Sequence, residues 1–176
     1  MTTTKVQYLT IDSHNIDGDL GDFTIDLYQS LSGSSTSVND IKNIIGFRVT
    51  DCYFANIGYS GTAGDSPKYI DIVCEDIPPP GQMIIANNTN SQPQVLARIP
   101  LERGFSGSNN LIVQDKQWAA PRREVQYFTP LNLQKLNFKI FERQNDGDYD
   151  IFTQNPSNNR AYYFTVELTS IVPRQY

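Results

Sequence analysis

Most informative stretches of the chain alternate apolar and polar residues with period two, the signature of a strand with one buried face. In DFTIDLY, Phe23, Ile25 and Leu27 share one face and Thr24, Asp26 and Tyr28 the other. In YIDIVCE, Ile70, Ile72 and Cys74 alternate with Asp71 and Val73. In LQKLNFKIFE, Leu136, Phe138 and Ile140 oppose Lys135, Asn137 and Lys139. In AYYFTVELTSI, the row Tyr162, Phe164, Val166, Leu168 opposes Tyr163, Thr165 and Glu167. Each reads as a half-buried strand with one wet face, as in an antiparallel sandwich. KVQYLTI, IIGFRVTDCYF, QVLARIPL, NLIVQD and REVQYF add further strands. Turn-rich segments separate them: GSSTS, GTAGDSP, DIPPPG, NNTNSQP, SGSNN and NDGD. One helical pattern competes: SVNDIKNI opens with a capping serine and puts Val38, Ile41, Ile44 and Ile45 on one helical face. No internal repeat or linker divides the chain, so residues 1–176 are expected to form one all-β domain with long polar loops.

Composition agrees. Ten Tyr, nine Phe and one Trp in 176 residues favour strands, and 39% hydrophobic content is enough for a core. The net charge of −5, with scattered Lys and Arg, argues against a protein that grips nucleic acid through phosphates. No stretch approaches the ~18 apolar residues of a membrane span. The start, MTTTKVQYLTID, lacks the apolar core of a signal peptide. The expectation is a soluble protein made in a reducing compartment. Cys52 and Cys74 lie in apolar runs and read as buried, reduced residues.

Candidate chemistry centres on DSHNIDGDLGD, residues 12–22, which holds four aspartates and the sole histidine. Set against a calcium loop of the EF-hand type, with Gly18 at position six, the ligands are Ser13, Asn15 and Asp17, and the closing acid is replaced by Thr24. Strands flank it where helices are needed. The stretch therefore reads as a turn, in which Asp, Asn and Gly satisfy loop backbone groups. DGDYD, from Asp146, reads as a hairpin loop built on Asp-Gly. His14 lacks the partners of a nucleophilic triad and reads as a solvated loop residue. One His and two Cys do not make a zinc site. No nucleotide-binding glycine motif appears. No catalytic, cofactor-binding or metal residue is assigned, and the chain is not expected to be an enzyme. Trp118 reads as an edge residue of the core or an interface anchor. Pro78–Pro80 forms an extended bridge between strands.

The stretch YLTIDSHNIDGDLGDFTIDLYQSL resembles the start of small capsid proteins of nucleocytoplasmic large DNA viruses and virophages. In these a strand ending in I-x-S, here Ile11 to Ser13, is followed by a polar turn and an xFTIxL strand, here Asp22 to Leu27. VNDIKNIIGFRVTDCYFANIGY and YIDIVCEDIPPPGQM are similar to the strands that come next. PLNLQKLNFKIFERQNDGDYDI and YYFTVELTSI resemble the closing pair. The resemblance implies a single jelly roll: two antiparallel four-stranded sheets packed face to face. It further implies a penton or closely related minor capsid protein, with five copies closing each vertex of an icosahedral double-stranded DNA virus. Its partners would then be its own copies, neighbouring major capsid protein capsomers and minor capsid proteins, with no direct nucleic acid contact. Its place would be the virion, assembled in the host cytoplasm. The loops at Ser60–Pro67 and Asn87–Pro93 are expected to face solvent or neighbouring capsomers.

Two other classes stay open at this point. A carbohydrate- or receptor-binding jelly roll would use exposed aromatics such as Trp118 or Tyr162, with calcium at Asp17 and Asp19. A minor capsid protein away from the vertex would share the fold but not the five-fold position.

Overall fold

A computed structural model of the chain describes residues 3–27, 42–58, 69–78, 95–100, 110–116, 125–143, 149–152 and 160–172. They form ten strands and one short 3-10 turn, Ser13–Asn15. The strands are β1 (Thr3–Asp12), β2 (Asp22–Asp26), β3 (Ile44–Gly58), β4 (Tyr69–Cys74) and β5 (Val95–Pro100). They continue with β6 (Asn110–Lys116), β7 (Gln126–Leu131), β8 (Lys135–Arg143), β9 (Tyr149–Ile151) and β10 (Ala161–Val172).

All pairings are antiparallel, and most join strands distant in sequence. β1 pairs β10, β2 pairs β8, β3 pairs both β6 and β7, and β4 pairs β5. The chain is thus a long ribbon doubled back on itself and then wrapped. Wrapping sends successive strand pairs alternately into two five-stranded sheets, ordered β1-β10-β3-β6 and β2-β8-β4-β5, with β7 on β3 and β9 on β8. This is the jelly-roll order.

The fifth strand of each sheet does not widen it. β6 pairs β3 over Asp51–Gly58, and β7 pairs the same strand over Ile44–Phe47. The two run the same way along one side of β3, so they are two pieces of one lane. β2 pairs β8 over Lys135–Lys139, and β9 over Phe141–Arg143. They too share one lane. Each sheet has four lanes, as the resemblance implies.

The β9–β2 junction is tight. Ile140 N–H donates to Gly21 O at 2.9 Å, and Phe152 N–H donates to Ile140 O at 2.8 Å. β8 therefore reaches both pieces of the lane at one residue. A Cβ on Gly21 would lie 2.1 Å from Phe152 O and 2.4 Å from an Ile151 methyl carbon. Only glycine fits where the two pieces abut.

The expected strand faces are observed, with three differences. Leu136, Phe138, Ile140, Tyr162, Phe164, Val166 and Leu168 are all buried between the sheets. Their aromatic rings pack in offset and edge-on contacts: Phe54–Tyr162 at 5.4 Å, Phe138–Phe164 at 5.4 Å and Phe152–Tyr162 at 5.5 Å. The first difference is β4, which has no wet face. Asp71 and Val73 are fully buried, as are Ile70, Ile72 and Cys74. Val73 packs with Val95, Phe141 and Ile151 in a second cluster, and Asp71 accepts two bonds from Arg98, at 2.8 and 2.7 Å. The second is Glu167, which is buried against Arg48, 2.5 Å away on the neighbouring strand. The third is the helical pattern. Ile44 and Ile45 open β3, while Val38 and Ile41 lie outside the described residues. At Ile44 and Ile45 strand pairing along β3 outweighs a local helix.

Gly21→Ala is expected to cost about 3 kcal/mol by overpacking the β9–β2 junction. Gly18 has a φ of +101° but open space around its Cα, so Gly18→Ala should cost only about 1–2 kcal/mol of backbone strain. Urea unfolding of both variants checks the order; equal stabilities would mean that the junction can spread apart.

Candidate functional site

The aspartate-rich stretch forms a corner that closes one end of the sandwich. Asp12 ends β1 and caps the 3-10 turn: its Oδ1 accepts the His14 backbone N–H at 2.9 Å, and His14 Nδ1 lies 2.9 Å from the same oxygen. The backbone hydrogen bond, aided by the ring contact, holds the Asp12 carboxyl below its usual range. Ser13 turns inward, and its Oγ accepts the Tyr162 N–H at 3.0 Å. Asp19 Oδ1 accepts the Gly21 N–H at 2.8 Å, an aspartate turn of the kind the sequence suggests. Leu20 is buried, and its carbonyl accepts the Tyr162 hydroxyl at 2.5 Å. Burial, with Asp19 nearby, pushes that hydroxyl far above the usual tyrosine range.

These contacts make the corner a structural clasp. Asp12 and Asp19 hold backbone N–H groups instead of converging on a common point. Among the described residues, no group of three or more His, Cys, Asp or Glu is placed to share a metal ion. His14 is exposed, as read from the sequence. Tyr162 is not the exposed aromatic that a glycan site would need; it is 2% exposed and sits in the centre of the aromatic core. A cavity of about 550 Å³ opens beside Asp17 and Gly18. Its wall includes Arg160, held by Glu142 at 2.5 Å and lying 4.5 Å over the Phe152 ring. Trp118 and the loops at Ser60–Pro67 and Asn87–Pro93 lie outside the described residues. So does Asp146, whereas Tyr149 and Asp150 of the same stretch begin β9, which pairs β8 as the hairpin reading requires.

Both cysteines are buried and neither forms a disulfide. Burial pushes the Cys74 thiol up to about 12, which keeps it protonated and unreactive.

A second surface escaped the sequence reading. The exposed large hydrophobics among the described residues, Val6, Tyr8, Tyr127 and Val172, all belong to the first sheet. Val6 is paired with Thr169, Thr169 with Gly46, and Gly46 with Tyr127, so one row crosses the sheet. A Cβ on Gly46 would meet Val125, Thr169 and Tyr127 side chains, so the row dips at its centre. The outer side of β8 differs: Lys139 pairs with Glu75 at 2.6 Å, and Thr24 with Asn137 at 2.7 Å. The signal for this surface lay in KVQYLTI, where Val6 and Tyr8 alternate with Leu9 and Ile11 on the inner side.

Tyr162→Phe should cost about 1–2 kcal/mol by leaving the buried Leu20 carbonyl without its donor, and Ser13→Ala a similar amount through the Tyr162 N–H. Calorimetric melting measures both, and a neutral Tyr162→Phe would remove the clasp from the account. Thiol titration at about pH 8 should detect neither cysteine in the folded chain and both in denaturant. Rapid labelling of folded protein would contradict the burial of Cys52 and Cys74.

No family model and no curated protein sequence matches this chain. Among solved structures it is similar to the mavirus penton protein, at 8% identity and a TM-score of 0.51. The match covers 96% of this chain and 100% of that one. At that identity the likeness establishes the fold: the two proteins share one jelly-roll architecture from end to end.

Proposed function

We propose that this chain is a structural capsid protein, a penton subunit that closes the five-fold vertices of an icosahedral double-stranded DNA virus as a ring of five copies. The observation that carries this reading is the end-to-end match of one jelly roll to a penton protein, with no part of that protein left unmatched. Two features support it. The wrapped ribbon and the Tyr162 clasp make a rigid block, as a shell component requires. The acidic balance of −5 suits a shell protein that does not grip the genome. On this reading residues 1–176 form one domain, the role is architectural rather than enzymatic, and no metal or cofactor takes part. Its partners are its own copies, the neighbouring major capsid protein capsomers and minor capsid proteins. It resides in the virion after assembly in the host cytoplasm. Among the described residues, no helix is long and apolar enough to cross a membrane.

Light scattering on the purified chain, with calcium and with a chelator, tests the reading. The expected mass is five times that of the 19.9 kDa chain, the same in both conditions. A monomer or trimer stabilised by calcium would favour a carbohydrate- or receptor-binding module instead. Antibody labelling of virions decides the position: label away from the vertices would assign a different place in the shell.

A further inference from the structure

The cavity at the corner has the size and the lining of a binding site. Its volume of about 550 Å³ lies within the range of small-ligand pockets. The turn after β1 lines it with His14, Ile16, Asp17, Gly18 and Leu20, and Arg160 lines it from just before β10. Arg160 is fixed before any ligand arrives. Its side chain is 9% exposed, with the Glu142 carboxylate at 2.5 Å and the Phe152 ring 4.5 Å away. It brings a planar set of N–H donors to the wall, and Glu142 balances its charge. The turn supplies groups of the other kind. Asp12 engages His14 Nδ1 and Asp19 holds the Gly21 N–H, so both carboxylates serve the fold. Asp17 differs: it is exposed, lines the cavity, and has no hydrogen-bond or ion-pair partner among the described residues. His14 is exposed too, and with Nδ1 on Asp12 its Nε2 is left for a ligand. Gly18 keeps its side of the cavity clear, since a Cβ there would meet nothing within 4 Å.

The lining selects among ligand classes. An anion would face the Asp17 carboxylate, and an amine would share the cavity with the Arg160 guanidinium. A hard metal ion needs several oxygen ligands, and no group of His, Cys, Asp or Glu among the described residues is placed to share one. A sugar hydroxyl both donates and accepts. It can donate to Asp17, accept from Arg160, and do either with His14, while Ile16 and Leu20 offer apolar carbon to the C–H groups of the ring. We propose that the corner cavity binds a neutral saccharide, as a free sugar or as the end of a glycan chain, without calcium. This moves a glycan site away from the residues the sequence suggested for one, because Tyr162 is buried and Asp19 is committed to the backbone. The inference goes beyond the vertex reading and does not depend on it.

Ligand-observed NMR on the full chain in chelator tests it, with galactose, glucose, mannose and N-acetylglucosamine as probes, singly and as disaccharides. At least one sugar should bind with a dissociation constant on the order of 1 mM, the usual strength for so small a polar ligand. Asp17→Ala should weaken that binding at least about tenfold, because the sugar loses a charged acceptor. Asn15→Ala, on the same turn but outside the lining, should leave it within about twofold of wild type. Arg160 is left intact, since its loss would leave Glu142 buried without that cation. Circular dichroism confirms that each variant folds. No binding by any of the sugars overturns the site. So does binding that Asp17→Ala leaves unchanged, or binding that appears only once calcium is added. Acetate or methylamine binding more tightly than every sugar overturns the saccharide class. A five-copy ring that binds no sugar removes this site and leaves the vertex reading in place. Sugar binding by a chain that stays monomeric supports the site, and the vertex reading is then decided by virion labelling.

Discussion

Tyr162 is the residue on which the closure of the sandwich depends. Its ring touches Phe23, Phe54, Phe152 and Phe164 within the core. Its N–H and hydroxyl reach outward in the chain to Ser13 and Leu20. One side chain near the C-terminal end of the sequence thereby fixes the turn after the first strand. A buried phenol is tolerable only with its hydroxyl paired, so the core and the corner require each other. The lane junction at Gly21 follows directly, because the residue after Leu20 must pass Phe152 at backbone distance.

What the sequence discloses follows from range. Strands such as Lys135–Arg143 and Ala161–Val172 announce themselves, because burial of one face imposes period two over many residues. β9 has three residues, too few to show a period, and it exists because β8 offers an unpaired stretch beyond β2. The burial of Glu167 and Asp71 is invisible in the same way. Each reads as a wet position until Arg48 or Arg98 is placed beside it, and both partners are brought in by pairing rather than by proximity in the chain. The corner was legible as a turn from its Asp, Asn and Gly content. The partner that makes it rigid, Tyr162, is 149 positions from Ser13.

The same distinction applies to function. Residue chemistry alone leads to an all-β domain with no assigned site. The proposal of a capsid role comes from resemblance and from the shared fold. The physics adds that the outer surfaces of this sandwich are unlike one another. The first sheet exposes Val6, Tyr8 and Tyr127, whereas the outer side of β8 carries the pairs Lys139–Glu75 and Thr24–Asn137.

The interrupted lane on β3 carries a consequence of its own. β6 and β7 are each pinned to β3 by their own register, and nine residues of the sequence separate Lys116 from Gln126. Closing a longer excursion between two fixed ends costs little, since loop entropy grows only with the logarithm of length. The frame therefore separates two evolutionary clocks. Paired lanes must keep their lengths, while the number of residues joining two pinned strands is held far less tightly.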